Sequence, residues 1–251
     1  MKNDEFGDWR LLPIGRLEHD LPAAFPGGPS HKAGTPLYMS SLAETPETRY
    51  GFVTPSTPAM AFDIAIHSAE AAKKTALTIQ WQTGPSPSGT ALTVPPSDAT
   101  KLFQYFQECM VCVMFSFVSL EAFCNHAIVA NRKPIEVKQK KGLVSLSPEE
   151  AERQLSTEIK IREVLPKILG VRTPAGIAVW EEFRRLRDAR DSVAHFKMRD
   201  QHPSPNAGAE STLYFQFLGK DPMIYPRAAI AILNHFHPEK KPRWLKALAH
   251  V

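Results

Sequence analysis

The sequence predicts a mainly α-helical protein: a four-helix antiparallel bundle preceded by an irregular, proline-rich extension with a candidate β-hairpin. Between residues 98 and 249, four segments combine helical spacing of apolar residues with capping residues, and most of them are joined by short connections. Residues 1–97, by contrast, hold 12 of the 22 prolines, at spacings that exclude long helices. We therefore expect an extension over residues 1–97 and a helical domain over residues 98–251.

Composition and charge place the chain among soluble globular proteins. With 251 residues, 43% of them hydrophobic and 22% charged, it can bury a core and does not resemble a disordered chain. The net charge of +4 is compatible with a polyanionic partner but does not require one. The N-terminus has acidic residues and no apolar run, unlike a signal peptide, and three cysteines without framework spacing fit a reducing compartment. We expect a cytoplasmic protein without a membrane span.

The proline-rich extension is predicted to consist mostly of turns that wrap over the helical domain. Its segment 57–74 starts with a Thr-Pro pair that can open a helix, yet Phe62, Ile64 and Ile66 alternate as in a strand, so both structures remain open. A hairpin is predicted over residues 75–94, where apolar and polar residues alternate on both sides of a GPSPSG turn. Such a hairpin would cover an apolar face of the domain.

The longest helix is predicted over residues 98–131 and is apolar nearly all the way round across residues 110–130. It should therefore be buried on several sides. A membrane span is the rival interpretation, which we disfavour because Glu121, Asn125 and His126 interrupt the apolar run.

The cysteines raise the question of a metal site. Cys109 and Cys112 have a redox or zinc spacing, and Cys124 and His126 follow on the same helix. Positions 109 and 124 lie about 22 Å apart along a helix, too far to share one ion. We expect buried thiols that act as small hydrophobic residues, and neither a metal nor another cofactor.

Capping patterns place the later elements. A capping box of Ser147 and Glu150 starts a helix that runs toward residue 165 and stops by Gly170. The pair Thr173-Pro174 opens a helix that extends to about residue 198. The remaining elements are a short strand over residues 213–218, a helix over 226–237 and a last turn or two over 241–249.

The segment 180–197 is predicted to be an amphipathic helix with functional residues on its polar side. Its buried stripe comprises Val179, Phe183, Leu186, Ala189, Val193 and Phe196. His195 lies outside this stripe, within about 20° of Arg184, with Asp188 and Asp191 between them. A lone surface histidine is usually only solvated, so the surrounding pattern has to decide its role.

The residues from Arg190 to His195, Arg-Asp-Ser-Val-Ala-His, resemble the motif of the HEPN superfamily: an arginine, a polar residue, and a histidine after four to six intervening residues. The likeness extends to Trp180 and the Phe-Arg-Arg-Leu-Arg run before the motif and to the Phe-Lys pair after it. Residues 117–125 are similar to the first core helix of that family, where a glutamate recurs in a Leu-Glu-Ala-Phe setting. The resemblance covers about residues 98–249.

The resemblance implies a helical bundle that forms a homodimer and cleaves RNA without a metal ion. Arg190 and His195 of two protomers would form one site, in which His195 transfers protons and Arg190 binds phosphate oxygens during attack by the 2′-hydroxyl. At a spacing of five, the two side chains point about 140° apart on one helix, so they converge poorly within one chain. RNA is the expected partner, with an antitoxin or a regulatory protein as a further one if the chain is a toxin or phage-defence effector.

Other residues have supporting roles in this hypothesis. Asp191 could orient the imidazole, Asp188 lies on the same polar stripe, and Glu121 could pair with an arginine of the motif helix. The candidates for phosphate binding are Arg187, Lys197, Arg132, Lys133, Lys138, Lys140 and Lys141, for which a solvated surface is the plain alternative. The alternative function is a non-catalytic HEPN-like module for nucleotide binding or protein interaction, in which the motif holds a dimer interface.

Overall fold

The structure, a computed structural model, describes residues 6–24, 26–86, 89–139, 142–201, 212–237, 239 and 241–251. It is a mixed α/β protein, about 52% helical with 18% strand in four small antiparallel sheets. The prediction of a mainly α four-helix bundle with an irregular extension is therefore wrong. Each sheet is a pair of short strands, and such strands leave only a weak apolar pattern in the sequence.

Two of the sheets lie within the proline-rich region that was predicted to be irregular. Strand β1 (Pro13–Arg16) pairs with β2 (Pro36–Tyr38), and β3 (Ser40–Glu44) pairs with β4 (Arg49–Val53), both antiparallel. Prolines stand at the first positions of β1 and β2 and in the turn between β3 and β4. At these places a missing N–H is tolerated, so the prolines mark the ends of these strands and do not prevent them from forming.

The segment for which the sequence allowed either a helix or a strand forms helix α1 (Thr57–Ala76). Phe62 is fully buried and stacks on Trp244 with ring centroids 5.9 Å apart. Several fully buried alanines of α1 allow close packing on the next long helix: Ala59, Ala65, Ala69 and Ala72. One hydrophobic core therefore contains residues from both sides of position 97.

The hairpin predicted over residues 75–94 is shorter than expected. Strands β5 (Gln82–Ser86) and β6 (Gly89–Thr93) pair antiparallel, whereas Leu77 still belongs to the end of α1 and is 89% exposed. The alternation of residues 77–81 therefore does not mark a strand. A 3₁₀ turn (Pro96–Asp98) leads into the next helix.

Helix α2 (Ala99–Asn131) is the central element and packs against α1 and two later helices. Among the described residues, Pro96–Asn131 is the one helical stretch long and apolar enough to cross a membrane. Half of its most apolar window is buried inside the protein, as in the core helix of a soluble protein. It is therefore weak evidence for a membrane span and compatible with a soluble chain.

The basic segment after α2 is a hairpin rather than a solvated loop. Strand β7 (Ile135–Gln139) pairs with β8 (Gly142–Leu146), and Ile135 and Val137 enter a second, smaller core cluster. Their neighbours Glu136 and Lys138 point outward. This alternation is the period of a half-buried strand, which the lysine content obscured.

The helix predicted from residue 147 toward 165 is broken into pieces. Helix α3 (Pro148–Gln154) ends at an extended Leu155, and α4 (Thr157–Ile159) continues through a π-helical turn (Lys160–Val164) into α5 (Leu165–Leu169). Pro166 has no N–H to donate to the carbonyl of Arg162. The hydroxyl of Thr173 donates to that carbonyl instead, at 2.8 Å.

Five further helices complete the described chain: α6 (Ala178–Ala194), α7 (Met198–Gln201), α8 (Leu213–Phe217), α9 (Ile224–Phe236) and α10 (Arg243–Ala247). The strand predicted over residues 213–218 is wrong, because that segment is α8. Thr212 caps it by accepting the N–H of Phe215, and Leu213 and Phe217 bury one face at helical spacing.

The capping box of α3 yields a first testable prediction. Ser147 Oγ accepts the N–H of Glu150 at 3.2 Å, and Glu150 Oε2 accepts the N–H of Ser147 at 2.8 Å. Ser147→Ala should lower the free energy of unfolding by about 1 kcal/mol in urea denaturation. Ser56→Ala is the matched control, since Ser56 precedes α1 without a capping bond, and it should cost less than about 0.5 kcal/mol. Equal losses in the two variants would contradict this prediction.

Candidate Arg–His site at the end of helix α6

Helix α6 carries the Arg–His motif and is anchored by an aromatic cluster. Its buried residues are Trp180, Phe183, Leu186, Ala189 and Val193. Phe183 is fully buried, with its ring 5.0 Å from Trp180 and 6.3 Å from Phe117 of α2. The predicted stripe is correct except at its end, where Phe196 is 53% exposed. The motif therefore sits on a helix whose orientation relative to α2 is fixed by packing.

Arg190 lies at the edge of this packed face. Its guanidinium carbon is 4.1 Å from the centroid of the Phe117 ring, and its Nη1 pairs with Asp191 Oδ1 at 2.8 Å. The side chain is 29% exposed. Its Nε is buried and donates to no acceptor among the described residues. A stack on an aromatic ring with one unsatisfied donor holds the guanidinium in place without using all of its hydrogen bonds.

His195 is not part of the helix, contrary to the prediction of a helix that extends to about residue 198. It is the residue after the last turn, with φ −130° and ψ 72°, and its backbone N–H donates to the carbonyl of Asp191 at 3.0 Å. Its side chain is exposed and has no hydrogen bond or ion pair with the described residues. The predicted alignment of His195 with Arg184 on one helical stripe is therefore wrong.

Asp200, which was not among the predicted site residues, fixes the chain just after His195. Its Oδ2 accepts the N–H of Lys197 at 2.8 Å, and its Oδ1 accepts the N–H of Leu213 at 2.8 Å. The carboxylate is buried and so ties the end of the motif segment to helix α8. An acidic residue three positions after the N-cap residue, here Lys197, forms half of a capping box, and this signal could have been found.

Of the residues predicted to support the site, Arg187 makes ion pairs near it, whereas Glu121 does not contact an arginine of α6 among the described residues. Arg187 pairs with Asp188 Oδ1 at 2.8 Å and with Glu158 Oε2 at 2.5 Å, which raises the pKa of its guanidinium. Glu121 does not meet an arginine of α6 in the described structure: its Oε1 accepts the hydroxyl of Thr157 at 3.4 Å. Arg187 is thus an ion-paired link between α6 and α4 rather than a free phosphate ligand.

A buried lysine beside this link was not predicted. Lys160 is 1% exposed, and its Nζ donates to Asn125 Oδ1 and to the carbonyl of Glu152, both at 2.7 Å. Burial lowers the pKa of this ammonium group, and nearby Glu121 acts in the opposite direction. The polar residues of the segment 117–125 therefore bind the α4 and π-helical region, whereas the sequence suggested a contact with α6.

The basic residues predicted to bind phosphate have different surroundings. Arg132 ends α2 in a left-handed conformation with φ 55°, Lys133 follows it, and Lys138 lies on the outer side of β7. These three side chains and Lys197 are exposed. Lys140 and Lys141 lie outside the described residues. A cavity of about 480 Å³ and another of about 700 Å³ are lined by neither Arg190 nor His195.

The three thiols are buried and unpaired, as the sequence indicated. Within the described ranges, no group of three or more His, Cys, Asp or Glu side chains is arranged to hold a metal ion.

Comparison of the chain with known protein families, with curated proteins and with solved structures found no match. The resemblance to the HEPN superfamily therefore rests on the motif residues themselves.

Proposed function

We propose that this protein is an endoribonuclease that cleaves RNA without a metal ion, with Arg190 and His195 of two protomers around one phosphate. The observation that carries the proposal is the state of these two side chains. Arg190 is held on Phe117 with an unsatisfied Nε, and His195 is exposed just beyond the end of the same helix. A purely structural arginine normally has its buried donors satisfied.

The chemistry requires a proton acceptor, a proton donor and a cation. An imidazole takes the proton from the 2′-hydroxyl, whose oxygen attacks the phosphorus, and a second imidazole gives a proton to the departing 5′-oxygen. The products are a 2′,3′-cyclic phosphate and a 5′-hydroxyl. The guanidinium stabilises the extra negative charge of the phosphorane between these steps. Asp191 is half-exposed, so an incoming phosphate can replace it on Arg190 Nη1.

A homodimer supplies what one chain lacks. One chain offers one histidine of this motif, whereas the reaction uses an acid and a base. His195 lies just after the end of α6, is exposed and has no side-chain hydrogen bond or ion pair with the described residues, so a symmetric partner can approach it. Two α6 ends that meet around a twofold axis would place two imidazoles and two guanidinium groups near one phosphate.

The proposal also includes a cellular role for the nuclease and a partner that restrains it. A cytoplasmic nuclease of this kind acts as a toxin or a phage-defence effector and requires an antitoxin or another regulatory protein to restrain it. The exposed cations Arg132, Lys133, Lys138 and Lys197 would attract the RNA backbone independently of sequence.

The alternative is a non-catalytic module for nucleotide binding or protein interaction. One observation favours it: Arg190 is paired with Asp191, and Arg187 is paired with both Asp188 and Glu158. Charges that are satisfied within the chain can hold an interface without any chemistry. In this alternative the motif stabilises a dimer only.

The deciding experiment is incubation of the purified chain with total RNA in EDTA, followed by analysis of the fragment ends. We expect cleavage that leaves 2′,3′-cyclic phosphates and 5′-hydroxyls, and we expect Arg190→Ala to abolish it. Arg185→Ala is the matched control, because Arg185 lies on the same helix in an exposed pair with Glu182 and should not matter. Intact RNA with the wild-type chain, or cleavage that needs Mg²⁺, would overturn the proposal.

A further inference from the structure

The cavity of about 700 Å³ is lined by no residue of the motif helix α6. It is enclosed by the segment before α1, the second half of α2, the end of α5 and the start of α10. Most of its lining is apolar, with Leu12, Phe123, Leu169 and Trp244 as large members. A concave, mainly apolar site of this size with a few polar groups is typical of small-molecule binding.

One wall of this cavity is the N-terminus of α1. Ser56, Thr57 and Pro58 line it, and α1 is 20 residues long. The N–H groups of Thr57 and Ala59 donate to no acceptor among the described residues, and Pro58 has none to offer. The unsatisfied amides and the helix dipole make this end electropositive.

Ser56 provides a second and independent observation. It is only 5% exposed and stands at the N-cap position, yet its side chain makes no capping bond and no other hydrogen bond with the described residues. The Ser56 Oγ atom is not completely enclosed by protein and keeps some accessible surface. Ser56 is one of the residues that line the cavity. A buried hydroxyl without a partner costs free energy that a bound ligand would recover.

The charges around the cavity agree with an anionic group at this place. Among the described residues, no aspartate or glutamate lines it, whereas His126, His237 and Arg243 do. The guanidinium of Arg243 donates to the backbone carbonyls of Asp8 and Gly7, so its charge is present while its hydrogen bonds are committed elsewhere. The cavity of about 480 Å³ contrasts with this one because Asp8, Asp63 and Glu70 line it.

We propose that this cavity binds a small monocarboxylate with an apolar body of roughly eight carbons. The carboxylate accepts hydrogen bonds from the Ser56 hydroxyl and from the amide of Thr57, and the body packs against Phe123 and Trp244. Two donors suit the two oxygens of a carboxylate. A phosphate ester carries more oxygens and charge and would need a guanidinium or ammonium group with free donors, which this wall does not provide.

Calorimetric titration of the full chain with octanoate tests the proposal. We expect saturable binding at one site, and at least about tenfold weaker binding of 1-octanol, which keeps the body and lacks the charge. Ser56→Ala should weaken octanoate binding about three- to tenfold, whereas Ser68→Ala, at a buried serine of α1 outside the cavity, should leave it unchanged. Ala130→Phe should fill the cavity and abolish binding, and Ala178→Phe on an exposed position of α6 should not.

Several results would overturn this assignment. They are the absence of saturable octanoate binding, equal affinities for octanoate and octanol, tighter binding of octyl phosphate, or full affinity in Ser56→Ala. The comparison of ligands uses the wild-type chain and therefore does not depend on the folding of any variant. RNA cleavage is not a readout of this experiment, so its outcome is independent of the proposed nuclease function.

Discussion

An His195→Ala variant is expected to cleave RNA at least about 100-fold more slowly than the wild-type chain, because a positioned imidazole contributes roughly 10²–10⁴-fold to proton transfer. The side chain is exposed and has no bonded partner among the described residues, so its removal should change the free energy of unfolding by less than about 0.5 kcal/mol. Initial rates on a labelled oligoribonucleotide in EDTA measure the effect. His19→Ala, at an exposed histidine outside the motif, is the matched control.

Mixing the Arg190→Ala and His195→Ala variants tests the proposal that the site is shared between protomers. A heterodimer of these chains keeps one intact arginine and one intact histidine on different chains, whereas a His195→Ala homodimer keeps no imidazole of the motif. If the site is composite, the mixture should be at least about tenfold more active than His195→Ala alone. A mixture that forms heterodimers and is no more active than His195→Ala would contradict the proposed arrangement.

The second large effect is a loss of stability in alkali. Burial raises the pKa of Cys109 and of Cys124 to about 12 from an ordinary 9.0 and raises that of Cys112 as well. Above pH 9 the thiols of the unfolded chain ionise while those of the folded chain stay protonated, so the unfolded state binds fewer protons and gains stability. From pH 8 to pH 10 the three thiols together should lower the free energy of unfolding by about 4 kcal/mol.

The ionisation of Lys160 changes the free energy of unfolding with pH in the opposite direction. Its folded pKa is lowered, so from that pKa up to the ordinary 10.5 the folded chain binds fewer protons and its stability rises with pH. This offsets part of the loss of stability from the thiols.

Urea denaturation at pH 8 and pH 10, with reductant present, measures the net change in the free energy of unfolding. A Cys124→Ala variant should lose about 1 kcal/mol less than the wild type over the same interval. Equal stabilities of the wild-type chain at pH 8 and pH 10 would contradict the prediction.

The features that the sequence predicted well are set by local interactions. Helix α2 was expected over residues 98–131 and occupies Ala99–Asn131, and the capping box of Ser147 is present. The buried thiols follow from the apolar character of the same helix. Caps and helical periodicity act within a few residues, so a single sequence contains them in full.

The features that were missed depend on partners far away in sequence or on weak patterns. The hairpins before α1 have almost entirely exposed strands, so they carry no alternation of buried residues. The end of α6 has no glycine to mark it, and Asp200, through its bond to Leu213, holds the chain after it. For this reason Arg190 was placed correctly on the helix, whereas His195 was assigned to a stripe that it does not occupy.

The packing of α1 on α2 has a consequence for any attempt to isolate the motif-bearing part of the chain. A fragment that starts at residue 98 would lack the alanine-rich face of α1 that packs on α2, and it would expose a long apolar helix. The segment that shields this helix thus lies before it in the sequence. Trimming the chain to the part that carries the Arg–His motif would make a core element prone to aggregation.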